Sequence, residues 1–169
     1  YEVAGGESGY IAVKPDEPAV TFGGSYGGLL TRKDRRTGLE RAVHPYPVNP
    51  MGHSAGEIRY RFQWTFPIVT SVHDPEAVYA AANVLFLSRD QGESWTAISP
   101  DLTRGDPATL GPSGGPITKD QTSVEYYGTI FTVAESPVTR GVMWTGSDDG
   151  LVHLTRDGGK TWTNVTPPD

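Results

Sequence analysis

The sequence predicts an all-β protein built from about three four-stranded antiparallel sheets, and three observations carry that reading. First, an eight-residue pattern occurs twice, as Ser88-Arg89-Asp90-Gln91-Gly92-Glu93-Ser94-Trp95 and as Thr155-Arg156-Asp157-Gly158-Gly159-Lys160-Thr161-Trp162. Both copies read S/T-R-D-x-G-x-S/T-W between apolar runs of strand length, which marks a repeated unit. Second, 21 Gly and 14 Pro are spread through the 169 residues, so turns are frequent. Third, no long segment sustains a helical period, whereas short apolar runs alternate with turn residues.

The repeated pattern is a turn with a physical cause. The carboxylates of Asp90 and Asp157 are placed to accept backbone N–H bonds from their own turns. Gly92 and Gly159 supply a positive φ that a Cβ would oppose. Ser88 and Thr155 open the two turns, and Trp95 and Trp162 close them by folding a large ring back over the hairpin.

Taken in order, the first unit covers residues 9–43, with strands expected at Tyr10–Val13, at Ala19–Phe22 and from Leu29 onward. Lys33 to Gly38 stands where the repeated turn belongs but lacks its Trp and spacing, so this unit is degenerate. The second unit, 66–98, places strands near Pro67–Val72, Ala77–Ala81, Val84–Ser88 and Ser94–Ile98. The third, 128–165, places them near Thr129–Ala134, Val142–Gly146, Leu151–Thr155 and Thr161–Val165. Two irregular insertions, 44–65 and 99–127, separate the units. The second of them lengthens the spacing between the turn aspartates to 67 residues.

Composition narrows the function. A net charge of −6 argues against a nucleic-acid surface, which needs a basic patch. No apolar run is long enough to span a bilayer as a helix, and the absence of cysteine excludes disulfides. No cluster of His and carboxylates has metal-ligand spacing, so no metal and no cofactor is expected. The Gly-rich run Gly23-Gly24-Ser25-Tyr26-Gly27-Gly28 lacks the G-K-S/T and the helix that a phosphate loop requires.

The two turns resemble the Asp-box, or BNR repeat, of β-propeller proteins. The preceding His73-Asp74-Pro75-Glu76-Ala77-Val78-Tyr79 and Ser136 to Trp144 resemble the turn that leads into an Asp-box hairpin. Arg61 to Ile68 and Trp144 to Gly150 look like stretches of bacterial propellers of the sortilin-like and xyloglucanase-like kind, often labelled glycosyl hydrolases. The resemblance implies a segment of a propeller of a secreted bacterial protein, extracellular or periplasmic, that binds carbohydrate. Its alternative is a non-catalytic sortilin-type module for peptide or protein. Three blades do not close a ring. The implied partners are therefore the remaining blades of a longer chain or further copies of this one, besides the glycan or peptide ligand.

Up-and-down strand order then separates two sides. The repeated turns lie on one side, where their aspartates are read as structural. The insertions and the second-to-third strand turns lie on the other, and loops on a rigid scaffold are where binding concentrates. That side is expected to carry Glu7, Glu125, Asp148 and Asp149 as candidate catalytic carboxylates. Arg59, Arg61, Trp64, Tyr126 and Tyr127 are its candidate ligand contacts. Each has a plainer reading: Asp149-Gly150 makes a good hairpin turn, Arg59 and Arg61 pair with nearby acids, and Trp64 packs between sheets. No spacing singles out one carboxylate pair, and the Arg-Ile-Pro motif of sialidases is absent, so hydrolytic activity is left open.

Overall fold

A computed structural model describes residues 2–7, 9–114 and 117–168. Three four-stranded antiparallel sheets follow one another along the chain. The first is β1 (Ile11–Val13), β2 (Val20–Gly24), β3 (Leu30–Asp34) and β4 (Leu39–Ala42). The second is β5 (Ile68–Thr70), β6 (Val78–Ala81), β7 (Leu85–Ser88) and β8 (Thr96–Ala97). A two-stranded ribbon, β9 (Ser113–Gly114) with β10 (Lys119–Asp120), interrupts the second insertion, where the sequence suggested no strand. The third sheet is β11 (Ile130–Glu135), β12 (Met143–Ser147), β13 (Val152–Thr155) and β14 (Thr163–Asn164). Within each four-stranded sheet the spatial order equals the chain order, so every connection is a hairpin.

The middle sheet is buried on both faces, which explains why its strands read as near-continuous apolar runs. Val78 and Ala80 of β6 turn toward the first sheet and join Val20, Phe22, Leu30 and Phe86 in one core. Ala77, Tyr79 and Ala81 turn the other way, toward Ile130 and Met143 of the third sheet. Alternation along one strand thus feeds two cores, and the small alanines let both flanking sheets approach.

The insertions are structural as well. Phe62 of the first insertion and Phe66 at the start of the second unit pack edge-to-face at 5.2 Å within the first core. Leu102 of the second insertion enters the second core. Their backbone is anchored by Asn83, in the tight turn between β6 and β7. Its Oδ1 accepts from the Arg61 N–H at 2.9 Å, and its Nδ2 donates to Asp101 at 2.7 Å. The Arg61 guanidinium completes the network by donating to Asp101, Thr103 and the Gly128 carbonyl at 2.8, 3.0 and 2.8 Å.

The two repeated turns superimpose bond for bond. In the first, the N–H and hydroxyl of Ser94 donate to the Asp90 carboxylate at 2.9 and 2.5 Å, and the Gly92 N–H donates to Ser88 Oγ at 2.8 Å. In the second, Thr161 donates both ways to Asp157 at 2.9 and 2.6 Å, and the Gly159 N–H donates to Thr155 Oγ1 at 3.0 Å. The indole then reaches out of its own sheet. Trp95 Nε1 donates to the Val43 carbonyl of the first sheet at 3.0 Å. Trp162 Nε1 donates to the Ile98 carbonyl of the second sheet, also at 3.0 Å. The glycines seat this contact, because a Cβ on Gly92 would lie 2.7 Å from Val43 and one on Gly159 would lie 2.9 Å from the Ile98 carbonyl oxygen. Each turn is therefore a staple to the preceding sheet.

Candidate functional site

Both sides of the sheets offer surface, the insertions on one and the repeated turns on the other. Several residues that sequence reasoning placed on the insertion-bearing side are committed to holding the loops together. Asp148 Oδ1 accepts from the N–H groups of Gly128 and Thr129 at 2.9 Å each, while Oδ2 accepts from Thr129 Oγ1 at 2.8 Å. Asp149 accepts from Ser147 Oγ at 2.5 Å and from the Arg104 N–H at 2.8 Å. Asp149 thus ties the second insertion, and Asp148 the residues just after it, to the β12–β13 turn.

Arg61 and Tyr126 depart from their expected positions on the face. Arg61 is buried beside Asp101 and the Gly128 carbonyl, just after a bend at residues 58–60. Tyr126 is 8% exposed and donates its hydroxyl to the carbonyls of Pro50 and His53 at 2.9 and 3.0 Å. Trp64 is half-buried, with its indole Nε1 shielded and unpartnered among the described residues. Glu57, in the same insertion, caps a short turn through Ser54, whose backbone and hydroxyl bonds hold its carboxyl below the usual range.

What remains presented on this side is aromatic and cationic. Tyr127 is 43% exposed. Arg59 lies over Tyr60 at 5.0 Å and over Tyr46 at 6.0 Å, and the two rings meet edge-to-face at 4.8 Å. Glu7 and Glu125 are exposed, Glu7 on the N-terminal turn and Glu125 in a shallow hollow with Ser54, Asp120 and Tyr127. The two belong to separate segments. Beside them lies an apolar hollow of about 250 Å³ formed by Tyr26, Leu29, Val48, Pro50 and Met51, which sequence reasoning passed over apart from Tyr26.

The opposite side holds a larger cleft of about 480 Å³ between the second and third sheets. His73, Asp74 and Arg89 line one wall, and Arg140, Arg156, Asp157 and Lys160 line the other. His73 Nε2 lies 2.7 Å from the Ser136 carbonyl, Arg140 donates to the His73 carbonyl, and Glu135 accepts from Ser71 Oγ and the Val72 N–H at 2.9 and 2.7 Å. The Asp157 carboxyl is held down at about 2 by the Thr161 hydroxyl and N–H. Among the described residues, no group of three or more His, Asp or Glu side chains is arranged to hold a metal ion. Nor is any helix there long and apolar enough to cross a membrane.

Solved structures share this architecture. The chain is similar to the GH74 xyloglucanase from Xanthomonas campestris, with a TM-score of 0.61 and 16% identity over 94% of this chain and 23% of that one. It is also similar to the Niastella koreensis GH74 enzyme, with a TM-score of 0.55 and 16% identity over 93% of this chain and 18% of that one. An ancestral GH74 enzyme aligns with a TM-score of 0.54 and 13% identity over 96% of this chain and 18% of that one. No protein-family model and no curated protein sequence matches. The chain spans about a fifth of the length of these structures. At such identities the likeness concerns fold: an all-β chain of four-stranded antiparallel sheets arranged as in propeller enzymes of the GH74 kind.

Proposed function

We propose that the chain is a three-blade arc of a larger Asp-box propeller, exported from a bacterial cell, that binds glycan on its insertion-bearing side without itself completing a hydrolytic site. The supporting observation is the pairing of Tyr127 and the Arg59–Tyr60–Tyr46 stack with loops fixed by a buried network. Tyr127 offers an exposed ring to the apolar face of a sugar, and the exposed Arg59, held over the half-buried Tyr60 and Tyr46, offers directed donors to hydroxyls. Catalysis is a weaker fit. Two acids flanking a glycosidic bond must stand about 5–10 Å apart and be free to react. Asp148 and Asp149 are occupied by backbone and hydroxyl donors.

Binding of neutral β-glucan oligosaccharides, followed by calorimetry, tests this reading. Tyr127→Ala and Arg59→Ala are expected to weaken binding about tenfold each, as loss of a stacking or hydrogen-bonding group worth about 1.4 kcal/mol would. Unchanged affinity in both variants would remove this surface from consideration.

A second reading has its own observation. The hollow around Leu29, Val48 and Met51 is apolar and partly exposed, which suits a peptide side chain better than a sugar. Val48→Asp and Met51→Asp would then abolish capture of an apolar peptide while leaving glycan binding intact.

A further inference from the structure

The cleft between the second and third sheets carries an inference independent of the insertion-bearing side. Equivalent positions in the sheets are set by their turns. The Ala77 N–H donates to the Asp74 carbonyl, as the Val142 N–H donates to the Thr139 carbonyl. Ser71 Oγ accepts from the Asp74 N–H at 3.1 Å, as Ser136 Oγ accepts from the Thr139 N–H at 3.1 Å. Asp74 and Thr139 are thus counterparts, and so are Arg89 and Arg156 of the repeated turns.

In the second sheet the pair is closed, with Arg89 Nε 3.1 Å from Asp74 Oδ2. The first sheet has its own version, in which Arg36 meets Glu17 at 2.6 Å from the corresponding turns. In the third sheet a threonine stands where the acid belongs. Among the described residues Arg156 makes no ion pair, and it lines the cleft together with Lys160. Asp74 is taken by Arg89, and Arg140, Arg156 and Lys160 outnumber the two other acids of the cleft, Glu135 and Asp157, whose carboxylates already accept bonds from Ser71, Val72 and the turn. Within a chain of net charge −6, this cleft therefore carries a local excess of positive charge.

We propose that the cleft binds a small carboxylate-bearing sugar, with Arg156 taking the carboxylate that its own sheet does not supply and Lys160 adding a second positive charge. A guanidinium accepts a planar carboxylate by two parallel N–H bonds. A cleft of about 480 Å³ has the size of a small-molecule site. Its lining is mixed, with Tyr79, Leu87 and Ile98 beside the charged groups, which suits a sugar, with its apolar ring faces and polar edges.

The test is a calorimetric titration of the whole chain, at low salt, with a trimer of galacturonic acid, a neutral glucose trimer and an acidic peptide. The acidic sugar is expected to bind, the neutral one not to, and Arg156→Gln and Lys160→Gln to weaken binding at least tenfold. The decisive variant is Thr139→Asp, which restores the internal partner of Arg156. It is expected to weaken binding as much as Arg156→Gln while leaving the melting temperature unchanged or higher. No binding by the unaltered chain, or full binding by Thr139→Asp, would overturn the proposal. A preference for the acidic peptide would overturn the ligand class. Tyr127→Ala should leave this titration unaffected, so failure on the insertion-bearing side and failure here are separable.

Discussion

At the scale of single residues, Trp95 and Trp162 bear the most structure. Each ring packs against a core, and each indole N–H bonds both its own turn and the preceding sheet. Trp162→Phe keeps most of the ring and removes the donor, and it should lower stability by about 1 kcal/mol. Trp162→Ala also empties the space and should lower it by about 3–5 kcal/mol. Chemical denaturation of both variants checks this; no loss in Trp162→Phe would mean that the bond between sheets contributes nothing. The turn aspartates add a dependence on acid. Asp157 titrates at about 2 in the folded chain, below its ordinary 3.8, first because of the Thr161 hydroxyl and then its N–H. A carboxyl depressed by folding stabilises fully above its unfolded value, and the benefit disappears as pH falls through the folded one. Melting curves between about pH 5 and 2 should therefore fall less steeply for Asp157→Asn than for the unaltered chain. Parallel curves would contradict the assignment.

At the scale of elements, the sheets were legible because their causes are local. A turn that needs Asp, Gly and Trp within eight residues announces itself, as does the double burial of β6 in Val78-Tyr79-Ala80-Ala81. The insertions were not legible, because their order comes from partners far away in sequence. Asn83 bridges Arg61 and Asp101, and nothing in Ala82-Asn83-Val84 distinguishes that hub from an ordinary tight turn. Arg61, expected beside Arg59 as a ligand contact, lies instead in that buried network, just after a bend at residues 58–60. Asp148 and Asp149 looked like free acids for the same reason, since their donors lie about twenty and forty-five residues away. Removing a buried charge from such a network leaves its partners unsatisfied, so Arg61→Ala should destabilise by roughly 3 kcal/mol. Hydrogen exchange should then show both insertions loosened, whereas an effect confined to residues 59–63 would argue that the network does not join them.

At the scale of the whole molecule, the stapling rule points outward. Val43, Ile98 and Val165 are counterparts: their N–H groups donate to the carbonyls of Leu30, Leu85 and Val152 at 2.8, 2.9 and 2.8 Å. The first two carbonyls each receive a tryptophan indole from the next sheet, and among the described residues the third receives no donor. The flank beside it exposes Trp144 and Phe131, at 43% and 49%. A second copy of this chain would offer its first sheet, but the turn after β3 has no tryptophan, and residues 3–6 already lie against that sheet through Thr21 and Gly24. A further sheet carrying the Trp-bearing turn fits the third sheet better than self-association does. The most direct measurement is the thermal unfolding of the chain continued after Val165 by a second copy of its own residues 99–168, which repeats the native spacing of 67 residues between turn aspartates. A cooperative transition above that of the shorter chain, lost when Trp144 is changed to Glu, is the predicted result. Two separate transitions, or no gain in melting temperature, would contradict the propeller arc.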